Sequence, residues 1–438
     1  MMPYFITEGD RIMNRETVAR AGNVFTPALH IYHPVVIERG EGSSVIDREG
    51  KRFLDFSAGL AVLNIGHNHP RVMARVAEQC ARFVHTGGVY YNETTLAAAE
   101  LLTTVTPPGL DMLFFSNSGA EAVEGALKLA RYVTGRQGII AFSGGFHGRT
   151  LGAVSVTSSS ARYRERYHPL LPSVYHAPYP FCSRCPFGCT ASACTLDCLN
   201  YLEVMLRHTI TPKEVATIII EPVLGEGGYA PAPPLFLEAL RRLCDEHGIL
   251  LIFDEVQSGM GRTGDWFAAQ SYGITPDIMT VAKGIASGFP LSALVSRRDI
   301  MAQWPVGAHG TTFGGNPVSC AAAIGTIEAI RDEQLLPRCR ELGATILARL
   351  RTLREKFPII GDLRGMGLMI GVELTNDDGT PAGATCERLL DECLERGLIL
   401  INCGPERNIV RFIPPLNVSD TELDEALAIF AAALGAAS

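Results

Sequence analysis

TIIIEPVLGEGG (Thr217–Gly228), ILLIFDEVQSGMGRTG (Ile249–Gly264) and IMTVAKGIASGFP (Ile278–Pro290) are the three pieces of one stretch whose reading decides the fold. Each opens on a short apolar run: Thr217–Ile220, Ile249–Phe253 and Ile278–Ala282. Each run stops on a charged residue, respectively Glu221, Asp254 and Lys283. Short runs of Ile, Leu and Val without polar alternation are the pattern of strands buried on both faces. Between the first two, Leu235, Phe236, Ala239, Leu240 and Leu243 share one helical face. Strand, helix, strand is a parallel crossover, and such α/β sheets bind ligands beyond the carboxyl ends of their strands. Separate strands therefore deliver a carboxylate and an amine to the edge where chemistry sits.

A lysine that ends an apolar strand loses solvation, which lowers its pKa and leaves a nucleophilic amine able to form a Schiff base with an aldehyde. An aspartate on a neighbouring strand end keeps a pyridine nitrogen protonated, the pairing that pyridoxal 5'-phosphate sites use. Taken singly, Asp254 reads more readily as a helix cap and Lys283 as a solvated strand end, because strand ends are often polar.

Other strands bring further pieces. Met112–Ser116 is followed by SNSGAEAVEGALKLARYVTG, in which Ala120, Val123, Leu127 and Ala130 have helical spacing, so a helix starts near Gly119. Ser118, Gly119 and Ala120 are small enough for backbone N–H groups at that helix end to close on a phosphate. Gly138–Phe142 ends in SGGFHGRT, where Phe146 is placed to stack on a planar ring, with His147 beside it.

The runs FDEVQSGMGRTG (253–264) and AKGIASGFP (282–290) resemble the cofactor-binding core of class III pyridoxal-phosphate aminotransferases. The resemblance extends from about Val35 to the last helix. It implies a fold type I transferase with a mostly parallel seven-stranded sheet in a large domain, residues 63–316. A smaller α/β domain would be built from both termini, residues 1–62 and 317–438. It also implies roles: Phe146 and Val256 on opposite faces of the pyridine ring, Gln257 on the ring hydroxyl, and Arg149 on a substrate carboxylate. Thr312, in HGTTFGGNP, matches a threonine that relatives lend to the partner subunit's phosphate, so a homodimer or a dimer of dimers is expected. Lys283 lies 29 residues after Asp254 and 29 before Thr312, a spacing similar to the family's.

The resemblance further implies amino transfer from an ω-amino acid such as 4-aminobutyrate to 2-oxoglutarate. Glu226, in GEGG, and Arg411, in VRFIPPL, match a pair that closes for an ω-amine and parts for an α-carboxylate. Racemisation or epimerisation on the same scaffold, or ornithine or acetylornithine transamination, would use the same residue types at the cofactor.

The remaining text is bounded by composition. Hydrophobic residues at 47%, charged residues at 19% and a net charge of −8 without long charge runs describe a globular chain, not a nucleic-acid or membrane binder. With no signal-like or membrane-length apolar run, a cytoplasmic location is expected. The first thirty residues read as an arm and loop punctuated by Pro27 and Pro34. VVIERGEGSSVIDREGKRFLDFSAG (35–59) reads as a small antiparallel element, with turns at Gly40–Gly42 and Asp47–Gly50. GHNHP (66–70) reads as a turn before a helix over 71–83, not as a metal site. Of twelve cysteines, seven are scattered as small core residues, and five crowd into an insertion at 181–200: Cys182, Cys185, Cys189, Cys194 and Cys198. Their spacing is not a standard zinc ribbon. Reduced thiols are the expected state, with a metal site or a disulfide-stapled loop as alternatives.

Overall fold

The computed structural model describes residues 15–190 and 193–437. Its centre is a sheet of seven strands: β1 (Met112–Ser116), β2 (Gly138–Phe142), β3 (Val174–Ala177), β4 (Val215–Ile220), β5 (Leu250–Asp254), β6 (Ile278–Val281) and β7 (Ser292–Ser296). They lie in the order β1-β7-β6-β5-β4-β2-β3. Only β7 runs antiparallel to its neighbours. Every residue of β2, β4, β6 and β7 is buried, because helices cover both faces of the sheet. That is why these strands are mostly apolar, with Ser and Thr their only polar residues, instead of alternating.

The helices between them start and stop on local signals. Pro234–His247 has proline in its first turn, where the missing N–H costs nothing, and ends at Gly248 with φ of 59°. Helix α1 (Gly119–Thr134) begins with a capping box between Ser118 and Glu121 and ends at left-handed Gly135. Parallel alignment makes β1, β2, β4, β5 and β6 all release their chains at one edge.

The smaller domain comes from both termini. Strands Ile360–Met366, Met369–Leu374, Ile409–Phe412 and Ile401–Cys403 form one of its sheets. The N-terminal strands Ile37–Glu41, Ser44–Asp47 and Arg52–Asp55 form another, completed by Leu398–Ile399 running parallel to the last of them. Buried Arg262 locks these parts onto the large domain: its guanidinium donates to Pro414 O at 2.6 Å and to Asn64 Oδ1 at 2.8 Å.

Some expectations are corrected. The described part of the N-terminal arm contains a helix, Arg15–Val24, because no proline interrupts RETVARAGNV and Glu16 suits its first turn; residues 1–14 lie outside the described residues. Gly40 sits within a strand opposite Val45, and the turn itself falls at Gly42–Ser43. Cys80 is exposed, whereas Cys244, Cys320, Cys339, Cys386, Cys393 and Cys403 are buried. In GHNHP each histidine meets a carboxylate, His67 with Asp55 at 2.8 Å and His69 with Glu333 at 3.0 Å. Among the described residues, no helix is long and apolar enough to cross a membrane.

The small domain offers a test in which two effects oppose. Gly343 lies inside helix Leu335–Lys356, where alanine is intrinsically better by up to ~1 kcal/mol. A Cβ there would collide with the carbonyl of Gly367, which is itself wedged against the Arg262–Thr263 backbone. Overpacking of this kind costs about 1–3 kcal/mol, so the clash wins. Gly343→Ala should lower the melting temperature by about 1–2 °C; an unchanged or raised value would show that this backbone contact is not tight.

Candidate active site

At the common edge the strand ends enclose a cavity of about 510 Å³. Ser118, Gly119 and Ala120 line one end, and Phe146, His147 and Arg149 come from the loop after β2. Asp254, Val256, Gln257, Lys283 and Glu226 complete the predicted set on its wall. Two predicted residues lie apart. Arg411 reaches the cavity only through Glu226, and Thr312 is exposed on a loop outside its own chain's cavity.

Asp254 ends β5 at 4% exposure, and both its carboxylate oxygens have partners. His147 Nδ1 lies 2.7 Å from Oδ2, while Thr280 Oγ1 and the Val256 N–H donate to Oδ1 at 3.0 and 3.1 Å. A carboxylate only accepts, so Nδ1 carries the proton. Burial alone would lower the His147 pKa, but the bond and charge of Asp254, with Glu221 adding, raise it overall.

Lys283 follows β6 at φ of 48°, a left-handed conformation rare for a residue with a side chain. Gly284 permits the turn, since any side chain there would strike Asn64. Burial lowers the pKa of the Lys283 amine; Asp254 and Glu221 pull it back, and Arg411 adds to the lowering. The net effect is a larger fraction of neutral amine than an exposed lysine has.

At the start of α1, Glu121 Oε2 accepts from the N–H groups of Asn117 and Ser118 at 2.7 and 3.0 Å, and Ser118 Oγ accepts from the Glu121 N–H at 3.3 Å. The N–H groups of Gly119 and Ala120 remain as helix-terminal donors beside the cavity. Gly119 must lack a side chain, because a Cβ would press on Val256 at 2.9 Å. Helix-end donors, a buried carboxylate, a phenyl face and a valine, and a desolvated amine are the complement that pyridoxal phosphate requires. The residues fit it.

Glu226 and Arg411 form an ion pair of 3.1 Å. Arg411 is 2% exposed, on the small-domain strand Ile409–Phe412, and two of its nitrogens donate to Asn402 O at 2.9 and 2.5 Å. Arg149 stands exposed at the rim, its guanidinium 5.8 Å from the Phe146 ring and 5.9 Å from that of Tyr163.

Several participants escaped sequence reasoning. Tyr229 donates to Gln257 Oε1 at 2.5 Å, which orients the amide so that its NH₂ group is free for another partner. Tyr163 packs edge-on against Phe146 at 5.4 Å and lies 3.4 Å from Glu226, and Tyr32 lies 3.3 Å from Arg411. Thr280 carried a usable signal, a hydroxyl on the strand beside Asp254 and three residues before Lys283. Tyr32 and Tyr163 arrive on loops far away in the chain, with none.

Comparison with known proteins identifies the family. The family described as Aminotransferase class-III matches residues 27–434. The chain is 40% identical over 400 residues to the 5-aminovalerate aminotransferase DavT of Pseudomonas putida, covering 91% of this chain and 92% of the relative. It is 37% identical over 416 residues to a leucine/methionine racemase of Thermococcus litoralis, covering 94% and 93%. Among solved structures, a thermostable (S)-enantioselective omega-transaminase from Thermomicrobium roseum superimposes with a TM-score of 0.90 at 33% identity, covering 98% of this chain and all of that one. A match across almost the whole chain, on a fold that brings an amine and a buried carboxylate to one cavity, places it in the class-III aminotransferase family, as a pyridoxal-phosphate-dependent transaminase.

Proposed function

We propose that the enzyme moves the amino group of an ω-amino acid of the 4-aminobutyrate kind to 2-oxoglutarate. The observation that carries this reading is the Glu226–Arg411 pair. Two substrates use one cavity in turn. An ω-amine has no carboxylate beside its reacting carbon, whereas an α-oxo acid does. A buried, unpaired arginine is costly. A glutamate that holds Arg411 while the ω-amine reacts, and releases it to an α-carboxylate, removes that penalty. A racemase acts on one carboxylate-bearing substrate and has no need to release its arginine, so the pair favours transfer. The DavT relative, named for an ω-amino acid, supports the same reading.

Bound pyridoxal phosphate supplies an aldehyde and an electron-accepting ring. The chain's own groups do the rest. Asp254, held by His147 and Thr280, keeps a proton on the ring nitrogen. Lys283 Nζ, its ammonium form disfavoured by burial, takes the proton from the substrate's reacting carbon and returns it. The Gln257 NH₂ group, left free by Tyr229, would donate to the ring hydroxyl. Arg149 at the rim meets the carboxylate remote from the reacting amine.

The same reading makes the working unit a two-fold dimer. Thr312 and Phe313 sit exposed beside a loop whose Val84, Val89, Tyr90 and Tyr91 are also exposed. The two loops adjoin, with Asn316 Nδ2 donating to Val84 O at 2.9 Å and Phe313 packing 5.3 Å from His85. An apolar patch of this kind suits a second copy, to whose phosphate Thr312 would be lent.

Lys283→Ala should abolish turnover while leaving a folded protein that can still hold the cofactor without the lysine bond. Retention of the lysine-bound cofactor absorbance in that variant would assign the attachment to another residue. Asp254→Asn should keep the cofactor and lose several orders of magnitude in rate. A loss below about tenfold, ~1.4 kcal/mol, would remove Asp254 as the ring-nitrogen partner.

For the switch, single-turnover rates with each donor are decisive. Glu226→Ala should slow the half-reaction with 4-aminobutyrate more than that with glutamate, and Arg411→Ala should do the reverse. Arg149→Ala should weaken binding of 4-aminobutyrate through its carboxylate. Equal losses for both donors in Glu226→Ala would reduce the glutamate to a loop residue and remove the reason for choosing an ω-amino donor.

A further inference from the structure

Glu221 directly follows β4 with its side chain at the cavity wall, yet the chemistry above gives it no task. It is 5% exposed, and both its oxygens are occupied by backbone. Oε1 accepts the N–H of Phe146 at 2.6 Å, and Oε2 accepts the N–H of Gly225 at 2.7 Å. The two donors belong to different loops. One carries Phe146, His147 and Arg149. The other carries Glu226 and leads to Tyr229, whose hydroxyl orients Gln257. The loops also meet directly, since any side chain at Gly227 would collide with the carbonyl of Gly144. At Gly225 a Cβ would lie 2.7 Å from Gln257 Nε2 and 3.0 Å from Glu221 Oε2. No other charged side chain is placed to bridge these two backbone segments among the described residues.

We propose that Glu221 is a positioning residue: its single carboxylate fastens the ring-contacting loop to the Glu226 turn, so that the substrate switch and the cofactor face keep a fixed separation. The reason for a carboxylate is stoichiometric. Two N–H donors that face each other across a narrow gap need two acceptors, and an ionised carboxylate supplies both without a donor of its own. An amide supplies one acceptor and turns an NH₂ group against the second N–H. A protonated acid has the same defect. Burial, with Asp254 adding, pushes the Glu221 pKa up to about 7, while nearby His147 and the two N–H bonds hold it down. The other titratable groups that face it are Lys283, at the end of β6, and Tyr179, whose hydroxyl donates to the Glu221 backbone carbonyl at 3.1 Å.

The inference about the switch rests on the Glu226–Arg411 reading; the fastening itself does not. The two are separated by using Glu221→Gln in the holoenzyme with two measurements. Hydrogen exchange followed by mass spectrometry should show faster exchange in segments 143–149 and 222–229 together, by about tenfold or more. Exchange in β2 and in helix Pro234–His247 should stay unchanged. Acceleration in neither segment, or spread evenly over the domain, would overturn the fastening. The second measurement is a double-mutant cycle of Glu221→Gln with Glu226→Ala on the 4-aminobutyrate to glutamate ratio of single-turnover rates. Non-additivity is expected, because releasing the turn already displaces Glu226. Strict additivity would overturn the link to the switch. If Glu226→Ala alone leaves the ratio unchanged, the ω-amino reading fails, and the exchange measurement still decides the fastening.

Discussion

Asp254 puts a negative charge at the end of a strand with apolar side chains on both faces, and the site is arranged around satisfying it. A buried carboxylate without partners costs several kcal/mol. Its partners come from three directions. His147 arrives on the loop after β2, Thr280 lies opposite Asp254 in the parallel register of β5 and β6, and Val256 is two residues further along. Meeting that charge thereby determines where the loop after β2 must run, which in turn places Phe146 and Arg149. The same strand pairing sets Lys283 three residues beyond Thr280, close enough for the charge of Asp254 to temper the loss of solvation at the amine. One paired charge therefore positions the ring partner, the ring face and the lysine together.

Legibility in the sequence follows burial and locality. The strands of the central sheet could be read because burial on both faces leaves only Ile, Leu, Val and similar residues. Asp254, Lys283 and the start of α1 stood out because each is a local break in such a run. What could not be read depends on separation in the chain. Tyr32 lies 379 residues from the arginine it touches, and Tyr163 lies 63 from Glu226. Nothing in their neighbourhoods marks them. Glu221 was visible as a charged strand end, but its two backbone partners were not, because backbone N–H groups leave no trace in residue types. Helix Arg15–Val24 is hard to read for the opposite reason: it is largely exposed and polar on average, and prolines follow it closely.

The two domains contribute unequally but inseparably. Lys283 and Asp254 belong to the large sheet, Arg411 to the small one, and Glu226 reaches across the boundary. The backbone repeats the connection: Gly404 N–H donates to Glu226 O at 2.9 Å, and Arg364 Nε donates to Gly228 O at 2.9 Å. Both donors are in the small domain, and both acceptors flank the same turn. Movement of one domain against the other would thus be felt first at Glu226.

The cysteine-rich segment leans on that same junction. Phe181 packs under the Arg364 guanidinium at 4.8 Å, and Arg184 pairs with Glu373, which Arg364 also binds, at 2.7 Å. The segment therefore abuts the arginine that clamps Gly228. Three of its five sulfurs favour the thiol form. Cys189 donates to Asp197 Oδ2 at 3.2 Å, which requires the protonated form, and burial pushes Cys198 up to about 11 and raises Cys182. Thiolate is the form that binds metal and attacks disulfides. Through Phe181 and Arg184 the segment packs on the small domain beside the turn that carries Glu226.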